Sequence, residues 1–168
     1  MDKYKFHISP IAETYCYCLM PNHFHFLIRI KSEAEVLKAI SKRDAARSVP
    51  ANVSGFGSNS EDANVPGFQN LGRYAGWPTE KILSKQLSNF FNSYAKAFNK
   101  QYNRMGSLFI KNFKRKKVED MRYMKNLIEY IHNNPVRKGY VEQPQQWRYS
   151  SARNYENMKG MIEVKTDW

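Results

Sequence analysis

Apolar and polar residues alternate most cleanly over 23–30, which reads His-Phe-His-Phe-Leu-Ile-Arg-Ile. A period of two marks a strand, with Phe24, Phe26, Ile28 and Ile30 on one face and His23, His25, Leu27 and Arg29 on the other. The preceding segment, TYCYCLM at 14–20, is rich in β-formers, and Pro21-Asn22 is a turn signal, so a β-hairpin is expected. Residues 32–43 read as a short helix with Ser32 as its N-cap. The best helix runs over 79–102. There Leu83, Leu87, Phe90, Tyr94 and Phe98 recur at spacings of three and four, and Thr79 can cap the start. Gly106 breaks the pattern. A further helix spans about 120–133, with Met121, Met124, Leu127, Ile128 and Ile131 as its buried stripe. It must end near Asn134, because the residue before Pro135 resists the α conformation. Beyond Gly139, the aromatic tail with Trp147, Tyr149 and Tyr155 is expected to pack back onto the domain.

Residues 48–79 break this regularity. They carry Gly, Ser, Asn and Pro, little periodicity, and two short related strings, NVSGF at 52–56 and NVPGF at 64–68. Two copies do not make a repeat architecture, so the segment reads as a flexible insert. One domain of 168 residues follows: a hairpin and short helix over 1–47, the insert over 48–79, and a helical part over 80–168.

Charge changes the picture next. The formal net charge is +12 and the pI about 9.7. Such an excess points to a polyanion, either nucleic acid or an anionic membrane surface. No apolar run approaches a membrane span and no signal peptide opens the chain, so nucleic acid is preferred and no membrane partner is expected. The only cysteines, Cys16 and Cys18, lie two apart on a strand, where pairing with each other is strained. They read as buried small residues in a reducing compartment, and the expected location is cytoplasmic.

Three constellations carry candidate chemistry. His23 and His25 project from one strand face, so their imidazoles can converge on a divalent ion; two polar residues on a solvated face are the plainer alternative. Tyr130 and Asn134 are four apart and share a helix face beside the apolar stripe. The tyrosine there is either a nucleophile or a core-edge residue, and Asn133-Asn134 is otherwise a C-cap. Finally, Lys111, Lys114, Arg115, Lys116 and Lys117 cluster, with Phe109 and Phe113 interleaved. Charge for phosphates and rings for unstacked bases is how single strands are gripped, although a charge run is usually a solvated face.

Four segments bear a family resemblance in order: YCLMPNHFHFLIRI at 17–30, GSLFIKNFKRKKVE at 106–119, YIHNNPVRKGYV at 130–141 and WRYSSARNY at 147–155. Together they resemble the HUH-type single-tyrosine transposases, of the insertion-sequence-200 and REP-associated kinds. About two thirds of the chain is covered. The resemblance implies that His23, His25 and Asn134 hold Mg2+ or Mn2+. It implies that Tyr130 is the nucleophile and that the fold is α+β, a ferredoxin-like antiparallel sheet packed by helices. Arg137, in the third segment, joins the basic cluster and Phe109 as a DNA-binding candidate. Such proteins usually begin with a strand, a short loop and a helix; this chain opens at MDKYKFHISPIAETY, which reads as a start inside or just after that helix, with the first strand missing.

The resemblance implies cutting and rejoining of single-stranded or hairpin DNA through a 5′-phosphotyrosine link, by a monomer or homodimer. The competing expectation is a protein that grips such DNA without cutting it. An unrelated hydrolase using the histidine pair would need more ligands than His7 and His132 offer.

Overall fold

A computed structural model describes residues 2–47, 74, 76–110 and 113–167. Most of the expected 48–79 insert, and Lys111, lie outside them. The protein is α+β. Helix α1 (Asp2–His7) leads into an antiparallel hairpin of β1 (Ala12–Leu19) and β2 (Phe24–Ile30), followed by α2 (Glu33–Arg47). Then come α3 (Thr79–Gln101), α4 (Met121–His132), the single turn α5 (Asn134–Arg137), a 3-10 turn at Pro144–Gln146 and α6 (Ala152–Tyr155). Among the described residues no helix is long and apolar enough to cross a membrane.

Both faces of the hairpin are covered. Phe26 and Ile28 pack with Tyr4, Tyr17, Val36, Ile40 and Ile82 on the side of α1, α2 and α3. Leu27 lies on the opposite face with Cys16, Cys18, Met124, Ile128 and Ile131 of α4. The histidine face of β2 is therefore a second core boundary and not a solvated surface. The core-side expectation fails at Ile30, which is 42% exposed at the strand end. Pairing of β1 with β2 shifts between Thr14 and Cys16, so Tyr15 is an extra residue. A bulge of this kind interrupts the two-residue period. It lets Thr14 and Tyr17 face α1 while Cys16 and Cys18 both face α4.

The outer edge of β1 is bonded by the C-terminal segment. Leu19 N–H donates to the Tyr149 carbonyl at 2.9 Å, Ser151 N–H to the Tyr17 carbonyl at 2.9 Å, and Lys165 N–H to the Thr14 carbonyl at 2.8 Å. Ser151 is fully buried; its Oγ accepts from Tyr17 N–H at 2.8 Å and lies 2.8 Å from His132 Nε2. Trp147 Nε1 donates to the Leu19 carbonyl at 2.9 Å and the Tyr155 hydroxyl to the Tyr15 carbonyl at 3.0 Å, so the aromatic tail does pack back. Both cysteines are free and buried, and burial raises their thiols to about 12 (Cys16) and about 11 (Cys18), which keeps them protonated and inert.

Helix starts follow their caps. Ser32 and Glu35 form a reciprocal box, the Ser32 N–H donating to Glu35 Oε2 at 2.9 Å. Asp120 caps α4 by accepting from the N–H groups of Arg122 and Tyr123. Thr79, expected as a cap, is instead the first helical residue; Pro78 holds the cap position, and Thr79 Oγ1 has no partner among the described residues. Met121 was expected on the buried stripe of α4 but is 51% exposed at the helix start, whereas Met124, Ile128 and Ile131 are buried against the sheet and Leu127 packs partly against them. Pro135 does end α4, whose last residue is His132, but it then opens α5, where a missing N–H costs nothing.

The buried Ser151–His132 pair can be tested in two ways. Ser151→Ala strands two buried polar groups and is expected to cost about 2–3 kcal/mol in urea unfolding. Burial also holds His132 neutral, its pKa pushed down to about 4. The unfolded histidine takes up a proton near pH 6.5, so between these values the unfolded state binds more protons and stability rises with pH. In chelator, stability is expected to be full above about pH 6.5 and to fall by up to roughly 3 kcal/mol toward pH 4, with a flatter profile in His132→Asn.

Candidate functional site

The histidine face of β2 meets the C-terminal end of α4. Three buried side chains, Met124, Ile128 and Ile131, dock α4 on the sheet, each worth about 1.5–3 kcal/mol as an upper estimate. A lone helix of this length is marginal, so that docking is what fixes its direction. Tyr130 and Asn134, on either side of His132, then come to His25. Asn134 Nδ2 is 3.1 Å from His25 Nε2, a contact between residues 109 apart in sequence. The Tyr130 ring stands edge-on to His25, 6.0 Å between centroids and 78° between planes. His23 and His25 are also edge-on, at 5.1 Å and 84°.

The imidazoles are oriented. His23 Nδ1 is 2.7 Å from Asn22 Oδ1, to which it donates, and this contact orients the ring. His25 Nε2 accepts from the Asn134 amide, so it carries a lone pair. Burial first, and His23 second, push the His25 imidazole below the ordinary histidine value, which keeps it neutral. Asn134 is buried whereas Tyr130 is 43% exposed, so the phenol faces solvent and the amide does not. The Arg137 guanidinium lies 5.0 Å from the Tyr130 ring centroid.

These donors suit a divalent ion. An amide half-turn presents Asn134 Oδ1 in place of Nδ2, and 3.1 Å is the spacing of neighbouring ligands that each sit about 2.1 Å from one ion. Among the described residues no three His, Cys, Asp or Glu side chains gather at one point, so a metal here has to take the amide as its third protein donor.

Five expected residues thus converge: His23, His25, Tyr130, Asn134 and Arg137. The basic segment lies apart from them. Lys114, Arg115, Lys116 and Lys117 are exposed on the stretch leading to α4; Lys117 pairs with Glu119 at 2.7 Å, and Lys116 lies 4.6 Å over the Tyr123 ring. That exposed ion pair contributes little and leaves the patch cationic. Phe109 sits on the opposite side of β2, 5.1 Å from the Phe91 ring and 6.1 Å from the Phe24 ring. Asn22 and Ser151 were not singled out in the sequence. Asn22 stood next to the histidine pair as a turn residue, and Ser151 lay in the WRYSSARNY segment without a role of its own. Comparison of the chain with protein-family models, curated proteins and solved structures finds no match.

Replacing His23 and His25 together with alanine is expected to abolish Mn2+ uptake, read by loss of the free-ion resonance signal on titration. Both side chains are only half-buried, so the melting temperature in chelator should fall by no more than about 2–4 °C, which corresponds to about 1 kcal/mol. A much larger fall would assign them to the core instead.

Proposed function

We propose that this protein is a metal-dependent single-stranded DNA nicking and joining enzyme of the HUH single-tyrosine kind. The observation that carries the reading is the meeting of His25, Tyr130 and Asn134, residues from opposite halves of the chain that the docking of α4 brings together. The order of the four sequence segments supports the same class. So does the α+β arrangement, which is the coarse form of the ferredoxin-like fold the resemblance implies; the outer edge of β1 is bonded by residues 149–151 and Lys165.

In this reading His23, His25 and Asn134 hold the ion. Two imidazoles favour Mn2+ over Mg2+, which prefers oxygen donors. When bound, it supplies Lewis acidity and a template for the scissile phosphate. Tyr130 Oη attacks phosphorus in line. The bond from phosphorus to the 3′-oxygen breaks, the phenolic proton leaves to solvent, and the departing oxygen takes up a proton as a 3′-hydroxyl. The 5′-phosphotyrosine link keeps the energy of the broken ester, so attack by a 3′-hydroxyl reverses the reaction without ATP. Arg137 restrains the ring and adds positive charge where the phosphate enters. The exposed basic segment would grip the flanking strand. A protein that binds hairpin or single-stranded DNA without cutting it would use the same segment and would leave Tyr130 idle.

Incubation with Mn2+ and a 3′-labelled single-stranded oligonucleotide library is expected to yield a protein–DNA adduct resistant to denaturing electrophoresis. Tyr130→Phe should abolish it while sparing binding, and Tyr123→Phe should leave it unchanged. No adduct from the wild type on any such substrate supports the binding protein.

A further inference from the structure

Helix α3 extends beyond the core it helps to build. Its fully buried side chains, Ile82 and Gln86, both belong to the first two turns. The helical period nevertheless continues, and past Phe90 it presents rings. Six aromatic side chains run in a continuous series, Phe113, Phe91, Phe109, Tyr94, Phe98 and Tyr102, with neighbouring centroids between 4.5 and 6.4 Å. Phe24 of β2 anchors the series, 5.6 Å from Phe91. Phe113, Tyr94 and Tyr102 remain 45%, 45% and 57% exposed.

Charge along this limb is one-sided. From Lys81 to Val118 the chain carries ten Lys and Arg and no Asp or Glu. An exposed aromatic row invites either a protein partner or bases. Ten cations without an acid decide between them, because a polyanion gains from every one of them whereas an ordinary protein surface of mixed sign does not. Rings interleaved with cations match the way unpaired bases stack while the backbone is tracked electrostatically.

We propose that the outer face of α3 from Tyr94 to Tyr102, continued by Phe113 and the basic segment, is a base-stacking track for single-stranded nucleic acid. Its rings lie on the face of β2 opposite the histidine–tyrosine cluster, and the basic segment runs on from them to the start of α4. The track shares only its substrate class with the proposed nicking reaction, and it binds without metal.

The test is fluorescence anisotropy of a labelled thymidine homopolymer in chelator, across a salt series. Tyr94→Ala and Tyr102→Ala are each expected to weaken binding about tenfold, and the ring-retaining Tyr94→Phe and Tyr102→Phe to bind as the wild type. The salt slope should stay unchanged in the tyrosine variants, since they remove no phosphate contact. It should flatten by roughly two in the triple variant Lys114→Ala/Arg115→Ala/Lys117→Ala, at about 0.7 for each phosphate no longer neutralised. Circular dichroism and melting of each variant verify the fold. Wild-type affinity in both alanine variants overturns the proposal. So does equal affinity for a blunt duplex, or loss of a dimer in sedimentation as the effect of the tyrosine changes. Binding without adduct formation sinks the nicking reading alone; adducts with tyrosine variants that bind as the wild type sink this one alone.

Discussion

The outer edge of β1 is the constraint on which the rest of the structure depends. A strand edge leaves backbone N–H and C=O groups that must find partners once buried. Ser151 supplies them for Tyr17: its hydroxyl accepts from Tyr17 N–H, and its own N–H donates to the Tyr17 carbonyl. The same hydroxyl meets His132 in the last turn of α4. One buried side chain therefore joins the hairpin, the tail and the helix that carries Tyr130. Tyr130 and Asn134 lie two residues to either side of His132, so a shift of this contact moves the whole cluster relative to β2.

The second consequence concerns where the histidines stand. A two-stranded sheet alone is marginal in water, and here helices cover both its faces. Covering the histidine face gives the imidazoles a half-buried setting, with Leu27 beneath and α4 beside them. That setting keeps His25 neutral and leaves Asn134 little freedom, whereas an exposed pair on an open strand would sample many rotamers. Cluster precision thus comes from apolar packing around it, at a modest cost in polar groups taken from water.

Much of this was legible in the chain, and the failures are instructive. The hairpin, the Ser32 cap and the stripe of α4 were readable because each rests on local spacing. The bulge at Tyr15 was not, since a period of two cannot announce its own interruption; it is what sends both cysteines toward α4. Thr79 looked like a cap because the residue type is right, yet Pro78 has the extended backbone the position needs and takes it. The stripe of α3 was read from its spacing alone. Periodicity reports that a face is apolar and is silent on how far the core extends beneath it. Among the site residues, His23, His25, Tyr130 and Asn134 came from motif order; their mutual contact came only from the fold. Ser151 stood inside the WRYSSARNY segment with no role attached to it, because its partner Tyr17 lies 134 residues away.

Strand β2 carries the two proposed surfaces back to back. Phe24, between the two histidines in sequence, points the other way and supports Phe91 and Phe109 at the root of the ring series. A strand permits this because alternate side chains share one rigid backbone. The separation also sorts the charges. The imidazoles lie on the face toward α4, and Lys114, Arg115, Lys116 and Lys117 are exposed on the stretch before Asp120. Cations crowded beside the imidazoles would compete with a divalent ion for the same site. Arg137 lies against the exposed Tyr130 ring, while Asn134 provides the buried contact to His25. The cluster thus has a buried side at Asn134 and an exposed side at Tyr130 and Arg137.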